Sequence, residues 1–159
     1  MKIVEAQSKD MEIVRDFFRE YQAWLNVDIC FQGFEEELAS LPGRYAAPKG
    51  AIYLVFDDDE PVACAAIRPR IDKAETEAEF KRLFVRESHR KKGIGKKVFN
   101  AAMESAKAMG YETVVLETLP IMESAKHLYQ HYGFKHCDPY FDDADPSVEF
   151  FRYQFDSSI

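Results

Sequence analysis

Cysteine is scarce in this sequence, since only Cys30, Cys64 and Cys137 occur among 159 residues. They form no C-x-x-C pair and no Cys/His spacing of the kind that binds zinc, which excludes a disulfide framework and a zinc-stabilised fold. None of the three has an evident partner that would activate its thiol, so each is interpreted as a packing residue.

Long hydrophobic runs are also missing. No stretch approaches the roughly 20 apolar residues that a membrane-spanning helix needs. Residues 1–4 lead directly into Glu5 without the apolar segment of a secretory signal, so we expect a cytoplasmic protein with no membrane partner. Repeats, low-complexity tracts and linkers are absent, while 47% of the residues are apolar. Residues 1–159 are therefore predicted to form one folded domain.

An excess of positive charge is likewise missing, because the formal net charge is −7. This value argues against general nucleic-acid binding, which needs a broad basic face. The cations are nevertheless concentrated, since eight of the 21 lysines and arginines lie between Lys81 and Lys97. A local cationic site on an acidic chain indicates a small polyanionic ligand.

Hydrophobic periodicity and turn residues predict alternating helices and strands. Helices are expected over 8–25, with Ser8 as the N-cap, over 34–41, from the Gly-x-Gly at 93–95 to about 109, and over 120–132. Strands are expected over 1–6, 51–56, 61–68, 77–85, 113–118, 134–137 and 148–155. Helices alternating with a mixed sheet of about six or seven strands, flanked by about four helices, predict an α/β fold.

The segment from the strand over 77–85 to the following helix has the features of an anion-binding loop. Gly93 and Gly95 let the backbone approach a phosphate without a Cβ clash. The N-terminus of the helix offers unpaired N–H groups and the positive end of the helix dipole. Five flanking cations lie within 90–97. We expect a ligand with a pyrophosphate and a further phosphate, as in coenzyme A.

Other phosphate loops fit the spacing less well. A P-loop needs Gly-x4-Gly-Lys-Ser/Thr, which Gly95-Lys96-Lys97 does not provide. A dinucleotide-binding loop needs a third glycine near the first strand and an acidic residue about 20 positions later. A Gly-x-Gly that only turns the chain beside a solvated charge run is the structural alternative.

Two segments resemble the GNAT superfamily of acetyltransferases. Residues 79–85 followed by Arg90-Lys91-Lys92-Gly93-Ile94-Gly95 are similar to its strand and Arg/Gln-x-x-Gly-x-Gly/Ala motif, and residues 125–134 are similar to its Ala-x-x-Leu-Tyr-x-x-x-Gly-Phe element. The resemblance implies acetyl-CoA as the cofactor, with its pantetheine arm paired to the strand. The cofactor-binding residues it implies are Leu83, Phe84, Val85, Arg90, Lys91, Lys92, Gly93, Ile94, Gly95, Lys96 and Ser124. Ser88 and Ser124 replace residues, Pro and Asn, that are common in the family.

The resemblance also suggests two catalytic residues. Glu79 lies on the cofactor strand at the place of the acidic base in one branch of the family, and flanking Ala78 and Phe80 would desolvate it and raise its pKa. The alternatives are a salt bridge from Glu79 to Lys81 or Arg82 and a proton path through water. Tyr129 has the position of the family's general acid, the alternative being a core tyrosine.

The acceptor is predicted to be a small primary amine that carries a carboxylate, such as an amino acid or a relative. In the family, the regions of Arg68 and Arg70 and of Arg44 lie beside the acceptor, where arginines can clamp a carboxylate. Tyr45 and Tyr53 are expected to form one wall. The alternatives are that Arg68 and Arg70 are surface charges, or that a polyamine binds the acidic runs 57–60 and 142–145.

Alternatives to this enzyme are an acyl-CoA sensor without catalysis and a modifier of protein or peptide amines. A homodimer is common in such folds. His127 and His131 have the spacing of a metal pair but no third ligand, and Asp142, Asp143 and Asp145 lack the Gly and Glu of a calcium loop. No metal is predicted, and both groups are interpreted as solvated surface.

Overall fold

A computed structural model describes residues 1–25, 34–73, 75–140 and 146–156. In these residues seven strands form one mixed sheet with the order β1-β2-β3-β4-β5-β7-β6. The strands are β1 (Lys2–Glu5), β2 (Ala51–Asp57), β3 (Glu60–Pro69), β4 (Glu77–Val85), β5 (Thr113–Thr118), β6 (Lys135–His136) and β7 (Glu149–Gln154). The β4–β5 pair is parallel and the other pairs are antiparallel.

Four α-helices are described, and they bury apolar stripes against the sheet. They are α1 (Met11–Leu25), α2 (Phe34–Ser40), α3 (Ile94–Ala108) and α4 (Glu123–Tyr132). The stripe of α1 includes Val14, Phe17 and Phe18, which are fully buried and each contribute about 1.5–3 kcal/mol through burial. No helix in the described part of the chain is long and apolar enough to cross a membrane.

The predicted elements are confirmed, with boundaries that agree to within one residue, except that 8–10 and 120–122 are 3₁₀ turns that lead into α1 and α4. The prediction of Ser8 as an N-cap is wrong, because Ser8 lies inside the turn and Gln7 precedes it. The backbone N–H of Gln7 donates to Asp10 Oδ2 at 2.8 Å. A carboxylate three residues further on thus satisfies the first N–H group.

Strand alternation separates two cores on the two faces of the sheet. One face packs against α1 and α2 and contains Tyr45, while the other packs against α3 and α4. Tyr53 packs against the second core, so the expectation that Tyr45 and Tyr53 line the same wall is wrong. Of these two tyrosines, Tyr45 lies on the face that packs against α2 and Tyr53 on the opposite face.

The centre of the sheet opens where β4 and β5 diverge. The two strands pair only from Glu77–Thr113 to Glu79–Val115, although β4 continues to Val85. Among the described residues, the edge of β4 beyond Glu79 that faces β5 has no strand partner. The sheet therefore contains a wedge-shaped opening that leads toward the N-terminus of α3.

Candidate active site

The glycine loop ends the wedge and presents unpaired N–H groups. Gly93 adopts φ +78°, a left-handed conformation that favours glycine, and precedes the first residue of α3. Among the described residues, the backbone N–H groups from Lys91 to Lys96 donate no hydrogen bond to another protein group. The side chains of Lys91, Lys92 and Lys96 are exposed. Several donors in one turn, bordered by cations, fit a pyrophosphate-bearing ligand.

Arg90 differs from the lysines because it is held against the protein. Its Nε donates to the carbonyl of Val85 at 2.8 Å. Its guanidinium lies 5.3 Å from the ring centroid of Trp24 and 5.5 Å from that of Phe84. Arg90 therefore fixes the loop to the end of β4 and adds positive charge from within.

His89 anchors the same loop, and this role of His89 was not predicted from the sequence. Its Nε2 lies 2.8 Å from Asp57 Oδ2, and its Nδ1 lies 2.7 Å from Ser88 Oγ. The histidine is buried, so these contacts hold the loop against the β2–β3 hairpin. Ser88 thus has a defined role at the position where a proline is common.

The predicted cofactor strand projects its side chains to both faces. Phe84 packs edge-on against Phe17, Tyr21 and Trp24 of α1. Leu83 and Val85 pack against the core on the opposite face. Because both faces are occupied by packing, the backbone edge of β4 is the part of this strand that can bind a ligand.

A β-bulge interrupts β4 just after Lys81. Ala66 pairs with Lys81 and Cys64 with Phe84, so two residues of β4 oppose one residue of β3. Arg82 in the bulge has φ +64°, a conformation that costs a non-glycine residue about 1–2 kcal/mol. Its carbonyl accepts a hydrogen bond from Cys64 Sγ at 3.2 Å. No turn residue marks this bulge in the sequence.

Glu37 of α2 binds the bulge residue Arg82. Both of its carboxylate oxygens accept hydrogen bonds from Arg82, at 3.0–3.3 Å. Its Oε1 also accepts from Arg68 Nη1 at 3.1 Å. Glu37 was not among the predicted site residues, since its partners lie 31 and 45 positions away in the chain.

Glu79 lies at the base of the wedge, where β4 and β5 separate. Its side chain is 9% exposed, and Oε1 lies 3.4 Å from Arg44 Nη2 and 3.6 Å from Arg68 Nε. The alternative partners Lys81 and Arg82 are paired elsewhere, since Lys81 Nζ binds Glu117 Oε1 at 2.8 Å across the wedge. Glu79 therefore forms ion pairs, but its partners are Arg44 and Arg68 and not Lys81 or Arg82.

Tyr129 of α4 lies in the core, as the alternative interpretation of this residue predicts. Its ring packs against Phe80, Phe99 and Phe134 at centroid distances of 5.4–6.0 Å. Its hydroxyl makes no hydrogen bond within the described ranges. Burial raises the pKa of Tyr129 well above its ordinary value. The phenol thus stays protonated at neutral pH, as a proton donor requires.

The predicted acceptor-side arginines separate into two groups. Arg44 and Arg68 both contact Glu79, and Arg68 also lies over the ring of Tyr45, 5.5 Å from its centroid. Arg70 pairs instead with Glu77 at 2.7 Å, and Arg152 binds the other oxygen of that carboxylate at 2.7 Å. Arg70 is therefore part of a separate ion cluster around the buried carboxylate of Glu77.

The remaining predicted features lie at the surface or outside the described residues. Ser124 is exposed in the first turn of α4. His127 is 73% exposed and His131 is also exposed. No group of metal ligands occurs in the described residues. Cys64 is buried and Cys137 half-buried, and burial raises the pKa of each thiol. Cys30, Asp142, Asp143 and Asp145 lie outside the described residues.

Comparison with known sequences identifies the family. Residues 12–134 match the Acetyltransferase (GNAT) family. An uncharacterised N-acetyltransferase of Schizosaccharomyces pombe is 30% identical over 148 residues, which cover 92% of this chain and 89% of that protein. An uncharacterised N-acetyltransferase of Dictyostelium discoideum is 28% identical, over 89% of this chain and 92% of that protein.

Solved structures share the fold at lower identity. A GNAT-family acetyltransferase of Staphylococcus aureus superposes with a TM-score of 0.77 at 18% identity, covering 96% of this chain and 98% of that one. A putative acetyltransferase of Salmonella typhimurium, solved with its cofactor acetyl-CoA, superposes with a TM-score of 0.76 at 16% identity, covering 100% and 96%.

Proposed function

This chain belongs to the GNAT family of acetyltransferases, and we propose that it transfers the acetyl group of acetyl-CoA to the primary amine of a small molecule, such as an amino acid or a relative of one. The observation that carries this proposal is the opening between β4 and β5, which ends at the unpaired N–H groups from Lys91 to Lys96. The open edge of β4 leads to the anion-binding loop, and this arrangement fits a long ligand with a pyrophosphate at one end.

The chain's own residues supply the binding of this ligand. The N–H groups from Lys91 to Lys96 bind pyrophosphate oxygens, and Lys91, Lys92 and Lys96 add positive charge. The edge of β4 from Leu83 to Val85 offers backbone groups to the pantetheine amides. When bound, acetyl-CoA supplies an activated thioester. The exposed hydroxyl of Ser124, in the first turn of α4, is proposed to contact the same arm.

Two side chains handle protons. Glu79, directly or through water, accepts the proton that the amine releases as its nitrogen bonds to the acetyl carbon. Tyr129 donates its phenolic proton to the leaving sulfur and recovers a proton from solvent. Arg44 and Arg68 keep the Glu79 carboxylate fixed beside the amine, so that the nucleophile is oriented as well as deprotonated.

The proposed acetyl transfer is tested by measuring thiol release from acetyl-CoA with a panel of small primary amines and short peptides. A heat-shift measurement in parallel reports binding of acetyl-CoA alone. We expect an acceptor-dependent release of thiol with small amines, and a slower release from the Gly95→Val variant at the same acetyl-CoA concentration. Binding without release on any amine would favour an acyl-CoA sensor, and release only with peptides would favour a protein-directed enzyme.

A further inference from the structure

The surroundings of Glu79 contain more positive than negative charge. Arg44 and Arg68 face its single carboxylate. Glu37, the other carboxylate near Arg68, binds Arg82 through both oxygens. In the described part of the chain, no further carboxylate lies within ion-pair distance of Arg44 or Arg68. Arg68 and Glu79 are largely buried, with side chains 14% and 9% exposed, whereas Arg44 is 36% exposed. A bound anion offsets the excess positive charge at the buried end of this pair.

The contacts to Glu79 are also looser than those of neighbouring ion pairs. The two arginine nitrogens lie 3.4 and 3.6 Å from Glu79 Oε1, whereas Arg70–Glu77 and Lys81–Glu117 measure 2.7 and 2.8 Å. The Nε atom of Arg68 is buried and donates no hydrogen bond to a described residue. A buried N–H group without an acceptor can take a ligand oxygen. Arg70 Nε also makes no hydrogen bond, but it lies 2.7 Å from Glu77 Oε2, whereas Arg68 Nε lies 3.6 Å from Glu79 Oε1.

Arg44 gives this position access to solvent. Its side chain is 36% exposed, and it is held by donating to the carbonyl of Pro69 at 2.5 Å. Burial, together with the positive charge of Arg68, lowers the pKa of Arg44 from its ordinary value. An anion bound between the two guanidinium groups offsets the repulsion from Arg68.

Resting on the proposed function, we infer that Arg44 and Arg68 bind a carboxylate of the acceptor and that this carboxylate lies on the carbon next to its amine, as in an α-amino acid. Both arginines contact the same oxygen of Glu79, so the positions for the carboxylate and for the amine are adjacent. We therefore expect an acceptor with a longer spacing between the two groups, such as β-alanine, to react more slowly than α-alanine.

The same charge distribution favours the reactive form of the acceptor. An amino acid zwitterion leaves the excess positive charge unchanged, whereas its anion, with a neutral amine, compensates that charge. The arginine pair therefore lowers the pKa of the bound ammonium group and promotes its loss of a proton. The carboxylate thus contributes to affinity, while the two arginines favour the neutral, nucleophilic amine.

The experiment compares kcat/KM for α-amino acids with that for their methyl esters, and for β-alanine with that for α-alanine. We expect each accepted amino acid to exceed its ester by about 30- to 1,000-fold, because the ester leaves buried arginine donors unpaired. In Arg44→Gln the acid should lose most of this advantage over the ester, whereas the loss of the Arg44–Glu79 contact should lower both rates by a similar factor and leave the ratio as the readout. The matched control is Arg19→Gln, which removes a 54% exposed arginine paired with Glu35 of α2 and should keep the wild-type ratio.

A heat-shift measurement checks that each variant is folded, and Arg44→Lys, which keeps the charge without the planar fork, should recover part of the ratio. Equal rates for acid and ester, or an unchanged ratio in folded Arg44→Gln, would overturn the carboxylate site while leaving acetyl transfer intact. Failure of every amine to release thiol, with acetyl-CoA still bound, would instead overturn the proposed function together with this inference.

Discussion

Replacement of Gly95 by valine separates cofactor binding from folding. An added Cβ at Gly95 would lie 3.6 Å from Val85 Cγ2, an ordinary van der Waals distance, and Gly95 does not have a positive φ. The protein itself therefore has room for this Cβ, and the first turn of α3 tolerates it. A phosphate bound to the surrounding N–H groups does not have that room.

The magnitude follows from the hydrogen bonds that the valine displaces. A hydrogen bond to a charged group contributes about 1.5–3 kcal/mol, so the loss of one such bond raises the Kd for acetyl-CoA by about 10- to 150-fold. Calorimetric titration measures this change, and a thermal unfolding scan checks the fold. Gly95→Ala should bind more tightly than Gly95→Val, because its side chain ends at the Cβ.

Gly110→Ala is the matched control at the other end of α3. Gly110 has φ +93° and no atom within 4 Å of an added Cβ, so alanine there strains the backbone by about 1–2 kcal/mol without approaching the loop. Its stability should fall while its affinity for acetyl-CoA remains. If folded Gly95→Val binds acetyl-CoA as tightly as the wild type, the assignment of the loop is wrong.

Three further changes test other parts of the site. Tyr129→Phe keeps the aromatic packing and should lower kcat by about 10- to 1,000-fold with a smaller change in cofactor affinity, whereas wild-type turnover in this variant would make Tyr129 a core residue only. Because burial raises the pKa of Tyr129, the phenol of the wild type stays protonated as the pH rises, and kcat should not fall before the pH reaches the ordinary tyrosine pKa of about 10. Gly50→Ala places a Cβ 2.7 Å from the backbone carbon of Tyr45 and should shift the segment that carries Arg44, raising the acceptor KM more than the Kd for acetyl-CoA; unchanged acceptor kinetics would argue against Arg44 as a binding residue. Glu77→Leu leaves Arg70, whose side chain is 14% exposed, without its carboxylate partner and should destabilise the fold by about 3–5 kcal/mol in urea unfolding. A loss below about 1 kcal/mol would show that this ion pair contributes little to stability.

The helices and strands could be predicted because their causes are local. The stripe of α1 and the alternation in β4 repeat within a few residues, and the order strand, Gly-x-Gly and helix places phosphate-binding groups together without knowledge of the tertiary structure. The predicted helices and strands are confirmed by the fold, and the resemblance to the GNAT family is confirmed by the family match.

The ion pairs could not be predicted because their causes are distant in the chain. Alternation along β4 would place Arg82 on the face of Phe80, but the bulge turns its guanidinium toward Phe18 and Glu37 on the other face. Arg68 and Arg70 are two residues apart and share a strand end, yet they bind different glutamates. Which carboxylate each arginine meets depends on the register of neighbouring strands and on the position of α2.

The most direct test of the cofactor site is an amide NMR titration of the isotope-labelled protein with acetyl-CoA. The predicted result is that the largest shifts occur at the N–H groups from Lys91 to Lys96 and along β4 from Leu83 to Val85. The Gly95→Val variant should show these shifts only at higher ligand concentration. Saturable binding that leaves the amide resonances of both segments unchanged and shifts amide resonances elsewhere would contradict the proposed site.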